Sequence, residues 1–353
     1  MRPILLVVAC LLVAALVAAG VTLAVLQVQS RTNPQQVNLG SNVTITEDSA
    51  VIQAAARARP AVVSVVTQQQ PALSRGSGYL ATSDGYIVTN IGVIAGAGGM
   101  TVLVPGDSKS HEARLVDYDC QTGVAVVKVD KVNGLPTLAF ADPNALVQGQ
   151  RIVAVGGPFD GSAVTPGYVS AMHRVVSIPN PSSTSKQLEL SDIIQTSAVI
   201  NSGTAGGPLL NVAGQVVGIA MQSQPVAGST GFGLNVADIQ DVVQQILQTG
   251  QVVVPSLGAA TTELSAEMAS LTGLPTGTQI LTVDKTGPAA SAGLQAGDVI
   301  TQVDDVKLDA VHPLSLVLRS RFHPNQRVAV TYSRAGASTQ AQLTLSSQHP
   351  TCT

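Results

Sequence analysis

Hydrophobic residues first gather at the start of the chain, where positions 4–26 (Ile4 to Leu26) hold no charged side chain and only Cys10, Gly20 and Thr22 relieve the apolar run. As a helix this stretch spans about 34 Å, enough to cross a bilayer. It is longer than the apolar core of a cleaved leader, about 7–15 residues, and continues past Ala18-Ala19-Gly20, its only small-residue cluster. The pattern therefore predicts an uncleaved signal-anchor transmembrane helix over residues 1–30. Arg2 and the terminal amine before it, against Arg31 after it, give a slight charge bias that places the remainder outside the cytoplasm, a single-pass cell-membrane protein. Residues 31–50 are rich in Gln, Asn, Ser and Thr and read as a polar tether. A helical patch from Asp48 to Ala58 ends at Pro60.

From Pro60 to Gly250 the pattern changes to short β-rich runs broken by turn residues. They are Ala61–Thr67, Gly78–Ala81, Tyr86–Thr89, Met100–Val104, Ala113–Val116, Val124–Val129, Arg151–Val155, Gly167–Ala171, Ile193–Gln195, Gln215–Ala220 and Gly231–Leu234. Asp84-Gly85 between two of them is a hairpin signal, and many short strands at this spacing predict barrels or sandwiches. Ile239, Val242, Val243, Ile246 and Leu247 then share one helical face, with Asp238 as N-cap and Gly250 as the stop. Residues 51–250 thus form one all-β unit closed by a helix. After a linker, residues 256–348 show strands at Thr278–Val283, Val299–Val303, Val328–Tyr332 and Thr339–Leu345 and a helix at Pro313–Ser320, a small α+β unit.

Composition narrows the function. Eighteen basic and 21 acidic residues nearly cancel, and the chain has no Trp, so a nucleic-acid partner is not expected. No His, Cys or carboxylate cluster has metal-ligand spacing, and neither metal nor cofactor is expected. For Cys10, Cys120 and Cys352, unpaired or buried thiols are the plainer reading, with a Cys120–Cys352 bridge as the alternative.

Motifs carry a family resemblance. Gly287 to Ile300 resembles the PDZ signature of HtrA/Deg-type serine proteases, and Ser256-Leu257-Gly258-Ala259 resembles their carboxylate-binding loop. Upstream, Arg75-Gly76-Ser77-Gly78, Asp84 to Asn90, Gln195-Thr196, Ile200-Asn201 and Gly203 to Asn211 follow the family's trypsin-like domain in order. The resemblance covers roughly residues 50–345. It implies an all-β two-barrel chymotrypsin-like domain followed by a small α+β PDZ domain, behind the N-terminal transmembrane helix.

Acyl-transfer proteolysis needs a nucleophile, an imidazole base, an orienting carboxylate and backbone donors for the oxyanion. The family motifs place Gly92 at the base, Gly123 at the carboxylate and Ala205 at the nucleophile. From these positions the sequence predicts a catalytically inactive homologue whose backbone donors at Gly203 and Ala205 still frame an oxyanion-hole-like pocket. Asp117, Asp119 and Asp192 are expected to be solvated loop residues. The resemblance implies peptide capture in the PDZ unit. Leu257, Gly258 and Ala259 would supply amides, and Leu314 and Leu318 would either line the pocket or face the core.

The expected function is a membrane-anchored adaptor or holdase for unfolded or C-terminal peptide segments of envelope proteins. The alternatives are a structural or regulatory subunit in a homo-trimer or hetero-oligomer, and an active serine endopeptidase.

Overall fold

The structure is a computed structural model that describes residues 46–69, 72–161, 163–180, 187–222, 231–309, 312–350, Cys352 and, alone in the N-terminal region, Thr22. The expected membrane helix and tether therefore lie almost wholly outside the described residues. Among the described residues no helix is long and apolar enough to cross a membrane.

Helix α1 (Thr46–Ala58) runs into a short turn at Pro60, as the proline predicts. Six strands follow: β1 (Val62–Gln69), β2 (Ala72–Leu80), β3 (Tyr86–Asn90), β4 (Met100–Leu103), β5 (Ser110–Asp119) and β6 (Val124–Val129). They close into a barrel in the order β1-β2-β3-β6-β5-β4. The one-turn helix α2 (Ile91–Ile94) leaves the end of β3.

The second barrel closes in the order β10-β11-β12-β9-β8-β7. Its strands are β7 (Arg151–Val155), β8 (Val164–Pro179), β9 (Gln187–Thr196), β10 (Pro208–Leu210), β11 (Val216–Met221) and β12 (Gly231–Asn235). Alternating Val, Ile and Leu fill both barrels because successive side chains on a strand point to opposite faces. Ile87, Val126, Ile152, Ile194, Leu209 and Ile219 are fully buried. Strand β8 is longer than its pattern suggests because register shifts near Ala171 and Arg174 break the alternation, with His173 at φ +54° between them.

Helix α3 (Val236–Thr249) packs its predicted face, Ile239, Val242, Val243 and Ile246, into the core. Its N-cap is Asn235, whose side chain accepts from the Ala237 N–H, rather than Asp238, which falls in the first turn. Gly250 ends it in the left-handed conformation at φ +79°.

Beyond the pair formed by β13 (Val254–Ser256), the third sheet runs β14-β15-β16-β18-β19, with β17 beside β16. It comprises β14 (Ala259–Leu264), β15 (Gly277–Val283), β16 (Val299–Val303), β17 (Val306–Lys307), β18 (Arg327–Arg334) and β19 (Ala337–Thr344). Three helices accompany it: α4 (Ala266–Thr272), α5 (Pro288–Ser291) and α6 (Leu314–Arg321). Strand β14 lies at the edge of this sheet. The last strand, β20 (Ser346–Gln348), leaves the sheet and pairs antiparallel with β13.

Candidate functional site

The barrels are stitched together where their sequence motifs meet. Asn90 donates from its side-chain amide to the Ala220 carbonyl of the second barrel at 2.9 Å, and its carbonyl-type oxygen accepts from the Val93 N–H to start α2. Ser77 on β2 donates to the Gly203 carbonyl at 2.8 Å and accepts from the Gly157 N–H at 2.8 Å. The Ser77 N–H donates to the Ala205 carbonyl at 2.7 Å. Gly206 has to be glycine: it sits at φ +82°, and a Cβ there would lie 2.3 Å from the Ser77 carbonyl.

Gly92, Gly123 and Ala205 come together on one cavity of about 530 Å³, lined also by Arg75, Asn90, Leu190 and Met221. Gly92 lies on α2, next to Ile91, whose N–H donates to the Gly123 carbonyl at 2.8 Å. The two glycines differ in what surrounds them. A Cβ at Gly92 would meet only the Asn90 side-chain oxygen at 3.2 Å. Gly123 stands at φ +77°, and a Cβ there would press on Leu190 at 3.0 Å and Leu234 at 3.3 Å. Ala205 is buried. Among the described residues lining this cavity, the hydroxyls are those of Ser74 and Ser177, and no His, Cys, Asp or Glu joins them.

The expected oxyanion donors are not open. The Gly203 N–H donates to the Asn201 side-chain oxygen at 2.9 Å, and the Ala205 N–H donates to the Asn201 carbonyl at 2.8 Å. Asn201 folds the turn back on itself, with Thr204 held in the same network, so both donors are spent inside the turn. The motif reveals the glycine and alanine but not this turn conformation, which depends on one side chain upstream.

Aspartates expected in solvent are instead structural. Asp119 is fully buried, accepts from the Gln121 N–H and Thr122 hydroxyl, and forms an ion pair with Arg319 of α6. Asp117 accepts from the Val252 N–H at 2.6 Å and bonds His349 at 2.8 Å, while Asp192 is held by His173 and Asn235. Cys120 and Cys352 form a disulfide, with Cα atoms 5.3 Å apart across 232 positions of sequence. The alternative left open by the cysteine count is therefore the one the structure contains. No signal within either segment announces the contacts with Arg319, Val252, His349 and Cys352, because each joins residues far apart in the chain.

Asp238, beside this cluster in the first turn of α3, is pushed up to about 7 by burial, with Asp192 and Asp119 adding to the shift and Arg319 opposing it.

In the third sheet, Leu257, Ala259, Thr261, Leu314, Leu318 and Arg319 line a groove of about 170 Å³ between the edge strand β14 and helix α6. Leu314 and Leu318 serve both expected roles: they are buried in the core of this sheet and also floor the groove. Glu263 on β14 accepts from the Leu314 N–H at 3.3 Å and from the Thr278 hydroxyl at 2.7 Å, tying the strand to the start of the helix. Burial raises the pKa of Glu263. Gly258 sits at φ +70°, where a Cβ would fall 2.9 Å from Pro288. Its N–H is not free for a ligand as expected, because it donates to the Ser256 hydroxyl at 3.0 Å.

Two barrels meeting at a cleft, followed by a sheet with a strand-and-helix groove, define a trypsin-like peptidase domain joined to a PDZ domain. The sequence matches the trypsin-like peptidase domain over residues 76–219 and the PDZ domain over residues 255–345. It is 36% identical to a probable periplasmic serine endoprotease DegP-like of Halomonas elongata over 77% of this chain and 56% of that protein. With the serine protease Do-like HtrA of Lactococcus lactis subsp. lactis the identity is 35%, over 77% of this chain and 71% of that protein. Among solved structures, the HtrA-type protease AlgW with decapeptide superposes with a TM-score of 0.68 at 29% identity, covering 85% of this chain and 99% of that one. The serine endoprotease from Yersinia pestis gives 0.63 at 27% identity, over 84% and 98%. The chain belongs to the HtrA family of serine proteases.

These relatives correct the expectation that the chain is not an enzyme. Proteins sharing more than a third of their aligned residues with it are named serine endoproteases, and no observation establishes inactivity. Gly92, Gly123 and Ala205 remain a property of the cleft, but inactivity does not follow from them alone. The chain spans 56% of the length of the Halomonas protein.

Proposed function

We propose that this HtrA-family chain captures polypeptide segments outside the cell membrane, seating an apolar C-terminal end between β14 and α6 and presenting the bound chain as an adaptor or holdase. In this reading Ile4 to Leu26 anchors the protein and the folded units are extracytoplasmic. The observation that carries it is the groove itself. An edge strand offers unpaired backbone groups to an added strand, and Leu257, Leu314 and Leu318 provide an apolar floor for a side chain. The solved structures of AlgW with decapeptide and with tripeptide lend support, since those relatives hold peptides. Fluorescence anisotropy with a labelled peptide ending in Val-Leu tests it. Saturable binding that is lost on amidating the peptide terminus is expected, and equal binding of both forms argues against carboxylate capture.

A second reading, serine endopeptidase, is favoured by the names of the relatives. Hydrolysis here would need a nucleophile and base other than side chains at positions 92, 123 and 205. Casein digestion and fluorophosphonate labelling followed by peptide mapping decide it: sustained cleavage with one labelled serine identifies the nucleophile. An oligomer, either a homo-trimer or a hetero-oligomer with a second HtrA protein, is compatible with both readings and is read by native mass measurement.

A further inference from the structure

The PDZ groove is walled at its carboxylate-loop end by the chain's own C-terminal strap. After Leu345, which is buried in the PDZ core, β20 turns away and lies along β13, pairing Ser346 with Ser256 and Gln348 with Val254. Gln348, His349 and Pro350 line the same groove as Leu257, Ala259, Leu314 and Leu318. A hydrogen-bond relay connects strap to loop: the Gly258 N–H donates to the Ser256 hydroxyl at 3.0 Å, which donates to the Gln348 side-chain oxygen at 2.6 Å. An amide placed to meet a peptide carboxylate is thus occupied, and the strap completes the arrangement.

The strap is pinned at its far end. Cys352, half-buried, is bonded to the fully buried Cys120 at the end of β5, and the Asn180 side-chain amide donates to the Cys352 carbonyl at 3.1 Å. Beyond the pin, Pro350 is buried, the Ser346 hydroxyl donates to the Ser256 carbonyl at 3.2 Å and the His349 ring meets Tyr118 edge-on. A three-residue strand pair is marginal by itself, and the His349–Asp117 contact involves an exposed imidazole.

We propose that residues Ser346 to Pro350, pinned through Cys352, form a redox-released cap on the carboxylate end of the PDZ groove, shut by the Cys120–Cys352 disulfide and opened by a dithiol reductant. This rests on the reading of the groove as a peptide site. A reductant thiolate attacks the half-buried Cys352 sulfur, the S–S bond breaks, and Cys120 leaves as a thiolate that takes up a proton. The second reductant thiolate then attacks the mixed disulfide and releases Cys352, so the reductant ends as its own disulfide and the chain holds two thiols. With its pin gone the strap lifts, Ser256 loses Gln348, and the Gly258 N–H turns to an incoming carboxylate.

The test titrates the whole chain with a fluorescein-labelled peptide ending in Val-Leu, as the free acid and as the amide, before and after dithiothreitol. Reduction should tighten binding of the free acid about tenfold or more and leave the amide unchanged. Cys352→Ser should bind like the reduced protein whether or not reductant is present. Gln348→Ala, which leaves the bridge intact, should bind the free acid more tightly than the oxidised parent and keeps the test alive if the cysteine variant does not fold. Equal or weaker affinity after reduction, with peptide bound in both states, overturns the cap and leaves the peptide reading standing. Absence of binding in both states overturns the peptide reading and the cap with it.

Discussion

Gly92 and Gly123 occupy comparable places in the family motif, yet their surroundings set different rules for substitution. Gly92 faces open space apart from Asn90, so Gly92→His should change stability by less than about 1 kcal/mol. Gly123 combines a left-handed φ of +77° with contact to Leu190 and Leu234, and Gly123→Asp should cost about 1–3 kcal/mol. Urea unfolding of the two variants checks the contrast. Gly258→Val faces the same double obstacle, a positive φ and a Cβ 2.9 Å from Pro288, and should lose a similar amount together with peptide affinity. The positions of the site are legible in the sequence because motif spacing identifies a residue's place in a known loop. What those residues do is less legible. Asn201 consumes the Gly203 and Ala205 donors through a turn geometry that nothing in Asn-Ser-Gly-Thr-Ala spells out.

Secondary structure is plainest in the sequence where burial enforces a simple period. β6 and β11 are buried along their whole length and appear as apolar runs, broken in β6 by Lys128 alone. Strand β10 leaves little trace because it is only three residues long and begins at Pro208, and β14 because Ala259–Leu264 is a largely exposed edge with little apolar signal. Helix α3 is announced by its apolar face, but its cap lies at Asn235, ahead of the Asp238 that the pattern suggests. The difference matters, because it moves Asp238 from a solvated cap to a half-buried first-turn position. A free carboxyl titrates near 4 in the unfolded chain, whereas Asp238 is pushed up to about 7 when folded. Between those values the native state holds a proton that the unfolded chain has lost, so this group's contribution to stability declines as pH rises from about 4 to about 7. Denaturant midpoints across that range should fall less steeply for Asp238→Asn than for the parent.

Peptidase-like and PDZ units meet at the short stretch Asp117 to Gln121. It receives Arg319 from α6, His349 from the strap, the Val252 N–H from the linker and the disulfide from Cys352. Local periodicity cannot forecast such a junction, since a solitary aspartate looks the same in sequence whether it meets water or a guanidinium from a distant helix. Arg319→Ala should strip the counter-charge from a fully buried carboxylate and destabilise the chain by on the order of 3 kcal/mol. Differential scanning calorimetry should show the loss as a lower Tm. Adding Asp119→Asn should recover part of it, because the amide carries no stranded charge.

The distance between the two cysteines also dates the bond. Cys352 follows Cys120 by 232 positions, so during synthesis the second barrel and the whole PDZ sheet must emerge before the sulfurs can meet. Oxidation therefore follows the emergence of the PDZ sheet, and a nascent chain carrying the bridge has already delivered both barrels and that sheet. Pulse-labelled molecules migrating in the compact, non-reduced form would thus mark copies whose PDZ sheet has emerged and separate them from shorter nascent chains.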